Sequence, residues 1–145
     1  MKYYFWTALM LASVLLMACS LFKKSESDKS VSKLENVTWR IAELEGKAVP
    51  AEIGDRVPSL TFTSAEKRYS AVTGCNGIGG EYKLEKDNKL TFSRGMSTQM
   101  WCENMDVEKG LGKIIPLVKS YEIQNDRLEL KDEASKVLAI FVLMP

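Results

Sequence analysis

The chain contains no histidine at all. That absence removes the usual base of a nucleophilic triad and every histidine-ligated zinc site. Cysteine is scarce, with three residues, and none of the spacings is C-x-x-C, so no cysteine metal set is readable. An excess of basic charge is also missing. Lys and Arg number 20 against 19 acidic residues, and no basic cluster stands out, which argues against nucleic acid as a partner. The carboxylates are scattered through strand-like and helical segments, without the paired cluster that acid–base chemistry needs. Nothing in the composition calls for a cofactor.

Only one stretch is long, apolar and uncharged, and it lies at the very start. In "MKYYFWTALMLASVLLMACS", Lys2 precedes an apolar run from Tyr3 to Ala18, and Cys19 follows. A basic n-region with a short h-region ending in small residues reads as an export signal. The run is short of the ~20 residues of a membrane span. "LMAC" (Leu16 to Cys19) resembles the lipobox of bacterial lipoproteins, with Met17 where a smaller residue is usual. On that pattern residues 1–18 are the signal and Cys19 becomes the acylated N-terminus, carrying chains of the palmitate kind. An uncleaved anchor and ordinary signal cleavage nearby remain the competing readings. Each buried methylene contributes roughly 0.8 kcal/mol, so several chains hold a small domain on a membrane. Ser20, where aspartate would favour the inner membrane, leans toward the outer one, with the domain facing the periplasm.

Residues 19–33 ("CSLFKKSESDKSVSK") carry little to bury and read as a tether. Residues 34–145 suffice for one compact domain and are too few for two. Apolar residues there alternate with period two: "TWRIAELEG", "SLTFTS", "EYKLEKDNKLTFS" around Asp87-Asn88, "SYEIQNDRLELKD" around Asn125-Asp126, and a final apolar "KVLAIFVLM". Short strands separated by Asn/Asp/Gly turns predict a mainly β domain, an antiparallel meander closing as a small barrel or sandwich. One segment breaks the period. Val107, Leu111, Ile114, Ile115 and Val118 recur at helical spacing, with acids early and lysines late. This predicts one helix over about Asn104 to Pro116, whose apolar stripe plugs the sheet or forms a partner groove.

The glycine-rich "VTGCNGIGGEY" (Val72 to Tyr82) admits three readings. As a phosphate loop it fails, because Gly80 and Glu81 stand where lysine and hydroxyl must be. As a reactive thiol, Cys75 lacks a histidine to activate it. In an oxidising compartment Cys75 and Cys102 tend to pair, contributing roughly 3–4 kcal/mol, and the glycines then supply positive φ or room for close chain approach. A stapling cystine is expected to be buried and resistant to reduction. Free buried thiols and a redox-active pair are the alternatives.

"GCNGIGGEY" together with "LTFSRGMSTQMWC" resembles the META domain, the module of HslJ-type heat-shock proteins. The matching positions are Gly74, Cys75, Asn76, Gly80 and Tyr82, then Leu90, Thr91, Phe92, Thr98, Met100 and Cys102. The resemblance extends over nearly all of residues 34–145. It implies a small β-barrel-like domain with one helix and no established catalysis, in a family linked broadly to envelope stress and antibiotic tolerance. The chain departs from the family at Gly77 and Ile78, and again at Gln99 and Trp101, so the family's basic surface contacts are not carried over. Asn76 is expected to satisfy backbone groups in its turn, with a ligand contact as the lesser alternative. Three functions are open: a tethered, noncatalytic monomer that binds or stabilises an envelope protein; a carrier of an apolar ligand lined by Trp39, Phe62, Phe92, Trp101, Phe141 and several methionines; and thiol–disulfide exchange by Cys75 and Cys102.

Overall fold

A computed structural model describes residues 33–145. The signal, Cys19 and the tether up to residue 32 lie outside the described residues. From Thr38 onward the described residues form, in order, β1 Thr38–Leu44, β2 Lys47–Ala48, β3 Ser59–Thr63, β4 Arg68–Val72, β5 Gly77–Leu84, β6 Leu90–Phe92, β7 Met96–Ser97, α1 Asp106–Ile114, β8 Ser120–Gln124, β9 Arg127–Lys131 and β10 Val137–Leu143. A 3-10 turn, Ile115–Leu117, follows α1, because Pro116 has no N–H to continue the helix. No helix among the described residues is long and apolar enough to cross a membrane.

The sheet runs β6-β5-β4-β3-β1-β10-β9-β8, with β2 paired to β1 and β7 to β5. The pairings along this path are antiparallel, and an isolated bridge between Lys89 and Ser120 joins the two ends into a nearly closed barrel. The turns carry the residues that tolerate left-handed backbone: Asp87 and Asn88 take φ of 60° and 56°, and Asn125 takes 54°. β1 lies at the middle of the sheet, between β3 and β10, with Trp39 opposite both Leu60 and Leu143.

Alternation buries one face of β1, β3, β4, β5 and β9. In β10, Leu138 to Phe141 are buried in succession, and the interior is filled by its own side chains. Trp39, Ile41, Phe62, Tyr69, Leu128 and Phe141 belong to one cluster. Leu111 and Ile114 of α1 are fully buried in the same cluster, so the helical stripe completes the core instead of lying open as a groove. Phe62 meets Tyr82 edge-on at 5.1 Å and stacks with Phe92 at 5.9 Å. Burying each such side chain contributes roughly 1.5–3 kcal/mol. The aromatic set that a ligand cavity would need therefore divides: Trp39, Phe62 and Phe141 are packed core, Phe92 is half-buried, and Trp101 is on the surface.

The domain's first turn is tied down by two polar contacts. The Trp39 indole donates to the Leu34 carbonyl at 3.0 Å. The Tyr82 hydroxyl donates to the Glu35 carboxylate, which also holds Lys67 Nζ at 2.7 Å.

Candidate functional site

The glycine-rich stretch is a turn followed by a strand. Thr73 closes the β4–β5 turn, its hydroxyl and backbone amide donating to the Asn76 carbonyl at 2.8 and 3.0 Å. Gly74 takes φ of 101° and lies so close to Ile53 that a Cβ would sit 2.7 Å from it, so both backbone and space demand glycine. Gly77, Gly79 and Gly80 are inside β5. At Gly80 a Cβ would approach the Tyr69 ring to 2.9 Å and Gly95 Cα to 3.1 Å, so this glycine lets three segments come together.

Cys75 and Cys102 form a disulfide with their Cα atoms 6.3 Å apart, inside the ordinary range. Burial differs from the expectation. Both cysteines are half-exposed, because the bond spans the outside of the β4–β5 turn and the loop after β7.

Next to the cystine, Asn76 is fully buried with 0% exposure. Its amide nitrogen donates to the Met100 carbonyl at 2.9 Å and to Glu108 Oε2 at 2.7 Å. Its side-chain oxygen accepts from Thr98 Oγ1 at 2.7 Å and from the Met100 amide at 2.9 Å. Thr98 Oγ1 also accepts from the Gly77 amide at 3.2 Å, and the Thr98 amide donates to the Gly77 carbonyl at 3.1 Å. Two donated and two accepted bonds exhaust the side-chain amide. Nothing remains of it for a ligand, and its partners lie on a remote segment and on α1 instead of in its own turn.

The motif residues thus divide by role. Gly74, Asn76, Gly80, Tyr82 and Thr98 hold backbone and core together. Met100 gives its backbone to Asn76 while its side chain is 52% exposed, and it is flanked by Met96 at 77% and Trp101 at 84%. A rigidly held segment, Met96 to Cys102, therefore carries three apolar side chains outward. Sequence reasoning missed Glu108 and Glu35 as partners of Asn76 and Tyr82, and no local signal marks either pairing. Among the described residues, no group of three or more cysteine or acidic side chains is placed to hold a metal ion.

The comparisons with known proteins agree with this architecture. A protein of Burkholderia xenovorans solved by NMR is 19% identical, with a TM-score of 0.62 over 80% of this chain and 87% of that one. A DUF4847 family protein from Bacteroides vulgatus is 12% identical, with a TM-score of 0.56 over 78% of this chain and 96% of that one. At such identities the likeness shows the fold alone. No curated protein matches the chain. The sequence matches the META domain over residues 32–144, and the chain belongs to the META domain family.

Proposed function

We propose that this chain is a noncatalytic envelope module, tethered through a lipidated Cys19 after removal of residues 1–18. Its domain, residues 34–145, faces the periplasm and binds or stabilises another envelope protein. The observation that carries the docking is the exposure of Met96, Met100 and Trp101 on one pinned segment. Tryptophan and methionine are enriched where proteins meet, and clustered exposed apolar side chains mark such surfaces. The segment is ordered in advance: β7 pairs Met96 and Ser97 with Gly79 and Ile78, Asn76 holds Thr98 and Met100, and the cystine holds Cys102. Little ordering entropy is then lost on docking. Trp101 is also one of this chain's departures from the family pattern, so a partner that reads it is particular to this protein. A role in stress or antibiotic tolerance would act through that partner.

The test places a benzophenone amino acid at position 101 of the full-length lipoprotein in its native membrane. A discrete cross-linked adduct is expected there and not from Glu133, an exposed residue of the β9–β10 turn. Changing Met96 and Met100 to serine is expected to abolish it. Equal adducts from both positions, or none from either, would sink the proposal.

A further inference from the structure

A second surface feature adjoins the Met/Trp segment, with Ser97 in its lining, but uses none of Met96, Met100 and Trp101. Between the β6–β7 loop and the C-terminal half of α1 lies an open cleft of about 600 Å³, mostly apolar in its lining. That volume falls within the range of small-molecule sites, roughly 300–1,000 Å³. Ile78, Phe92, Ile115 and Pro116 supply its apolar surface, and Arg94 and Lys109 are its cations. Both cations are solvent-exposed and have no carboxylate partner among the described residues. The one acidic residue in the lining, Glu108, already accepts the Asn76 amide.

The floor of the cleft is Tyr69, whose hydroxyl is sealed beneath Gly80 and Gly95. The residue is 2% exposed, and its hydroxyl has no hydrogen-bond partner among the described residues. Directly over it lies Gly95, where a Cβ would come within 2.3 Å of the hydroxyl oxygen. Gly95 has no positive φ to explain it, so its missing side chain serves space. Gly112, on the opposite wall, faces open space, with nothing within 4 Å of a Cβ built there.

We propose that this cleft binds a fatty acid: the acyl chain lies on Ile78, Phe92, Ile115 and Pro116, and Arg94 and Lys109 hold the carboxylate. Charge complementarity selects the head. A planar carboxylate matches the guanidinium fork and gains a second cation from Lys109. A neutral amphiphile would leave both cations unused.

The experiment uses full-length protein in membranes and octanoate bearing a chain diazirine as a photoactivatable probe, with labelled peptides mapped after irradiation. Label is expected on the peptides covering 92–97 and 109–116. Neutral diazirine-octanol is expected to label about tenfold less, and the double variant Arg94→Gln/Lys109→Gln to lose about tenfold toward octanoate, the worth of a charge-assisted hydrogen bond. Gly112→Phe fills the cleft from an unobstructed position and is expected to lose label to the same extent, while Gly112→Ser keeps it. Met96, Met100 and Trp101 are untouched in these variants, so their docking role stands or falls separately. Unchanged labelling of Gly112→Phe, equal labelling by octanol, or label confined to other peptides would overturn the proposal.

Discussion

The side chain of Asn76 pairs with Met100 as a neighbouring strand would: it donates to the Met100 carbonyl and accepts from the Met100 amide, both at 2.9 Å. A primary amide has the donor and acceptor of a peptide group, so one buried side chain substitutes for a missing strand and leaves a further donor for Glu108.

Replacing Asn76 by alanine should therefore be among the costliest changes in the domain. Both polar groups of Met100, the Thr98 hydroxyl and a Glu108 oxygen lose their part-buried hydrogen bonds to Asn76 together, and each such bond contributes about 0.5–1.5 kcal/mol. A loss of at least about 3 kcal/mol is expected by denaturant unfolding. Asn76→Asp should not rescue it, since the donor toward Met100 and Glu108 becomes a second carboxylate. A loss below about 1 kcal/mol in Asn76→Ala would refute the account.

The cystine should be reducible under native conditions, because both of its residues are half-exposed. The two cysteines are 27 residues apart, so opening the bond is expected to cost roughly 3–4 kcal/mol through the unfolded state. Thermal unfolding of the double variant Cys75→Ser/Cys102→Ser should remain cooperative at a lower midpoint, since Asn76 still holds the segment. A bond that resists dithiothreitol until the protein unfolds would show instead that solvent does not reach it.

Two glycines should respond in opposite directions. Gly80→Ala drives a methyl group into the Tyr69 ring and Gly95, at an expected cost of about 1–3 kcal/mol. Gly112→Ala meets nothing and sits within α1, where alanine is favoured by about 0.5–1 kcal/mol. Chemical denaturation of the two variants checks both signs.

Alkaline stability is expected to depend on Tyr82. Burial, then the hydrogen bond to Glu35, then the charge of Glu35, raise its pKa above the usual 10.0, and burial raises that of Tyr69 as well. The folded state then keeps protons that the unfolded chain gives up. Stability is full below about pH 10 and falls as pH climbs beyond it. Tyr82→Phe should flatten that decline without removing it, Tyr69 supplying the remainder. Parallel pH curves for the two proteins would contradict the assignment.

Strands whose apolar residues alternate were legible in the sequence. "SLTFTS" and "SYEIQNDRLELKD" became β3 and the β8–β9 hairpin, and the predicted helix of Asn104 to Pro116 is α1 plus its 3-10 turn. β4 was overlooked because its inward residues, Tyr69 and Ala71, stand among Arg, Ser and Val with little hydrophobic contrast. "EYKLEKDNKLTFS" holds the end of β5 and β6, as its two-strand reading expects, while the start of β5, Gly77 to Gly80, is obscured by glycines that signal turns locally. Here they make room for Tyr69, a requirement visible only once the strands are neighbours. The same holds for Asn76: amide chemistry was readable, but its partners at Thr98, Met100 and Glu108 are set by tertiary structure.

The central place of β1 has a consequence in time. Its two flanking partners are β3, soon after it in the chain, and β10, at the far end. Until the last residues are available, Trp39 has no Leu143 opposite it and one edge of β1 offers its backbone to any passing strand. Contacts so distant in sequence form slowly. A chain threaded N-terminus first must therefore pass through a stage in which a central strand of its sheet is an adhesive edge.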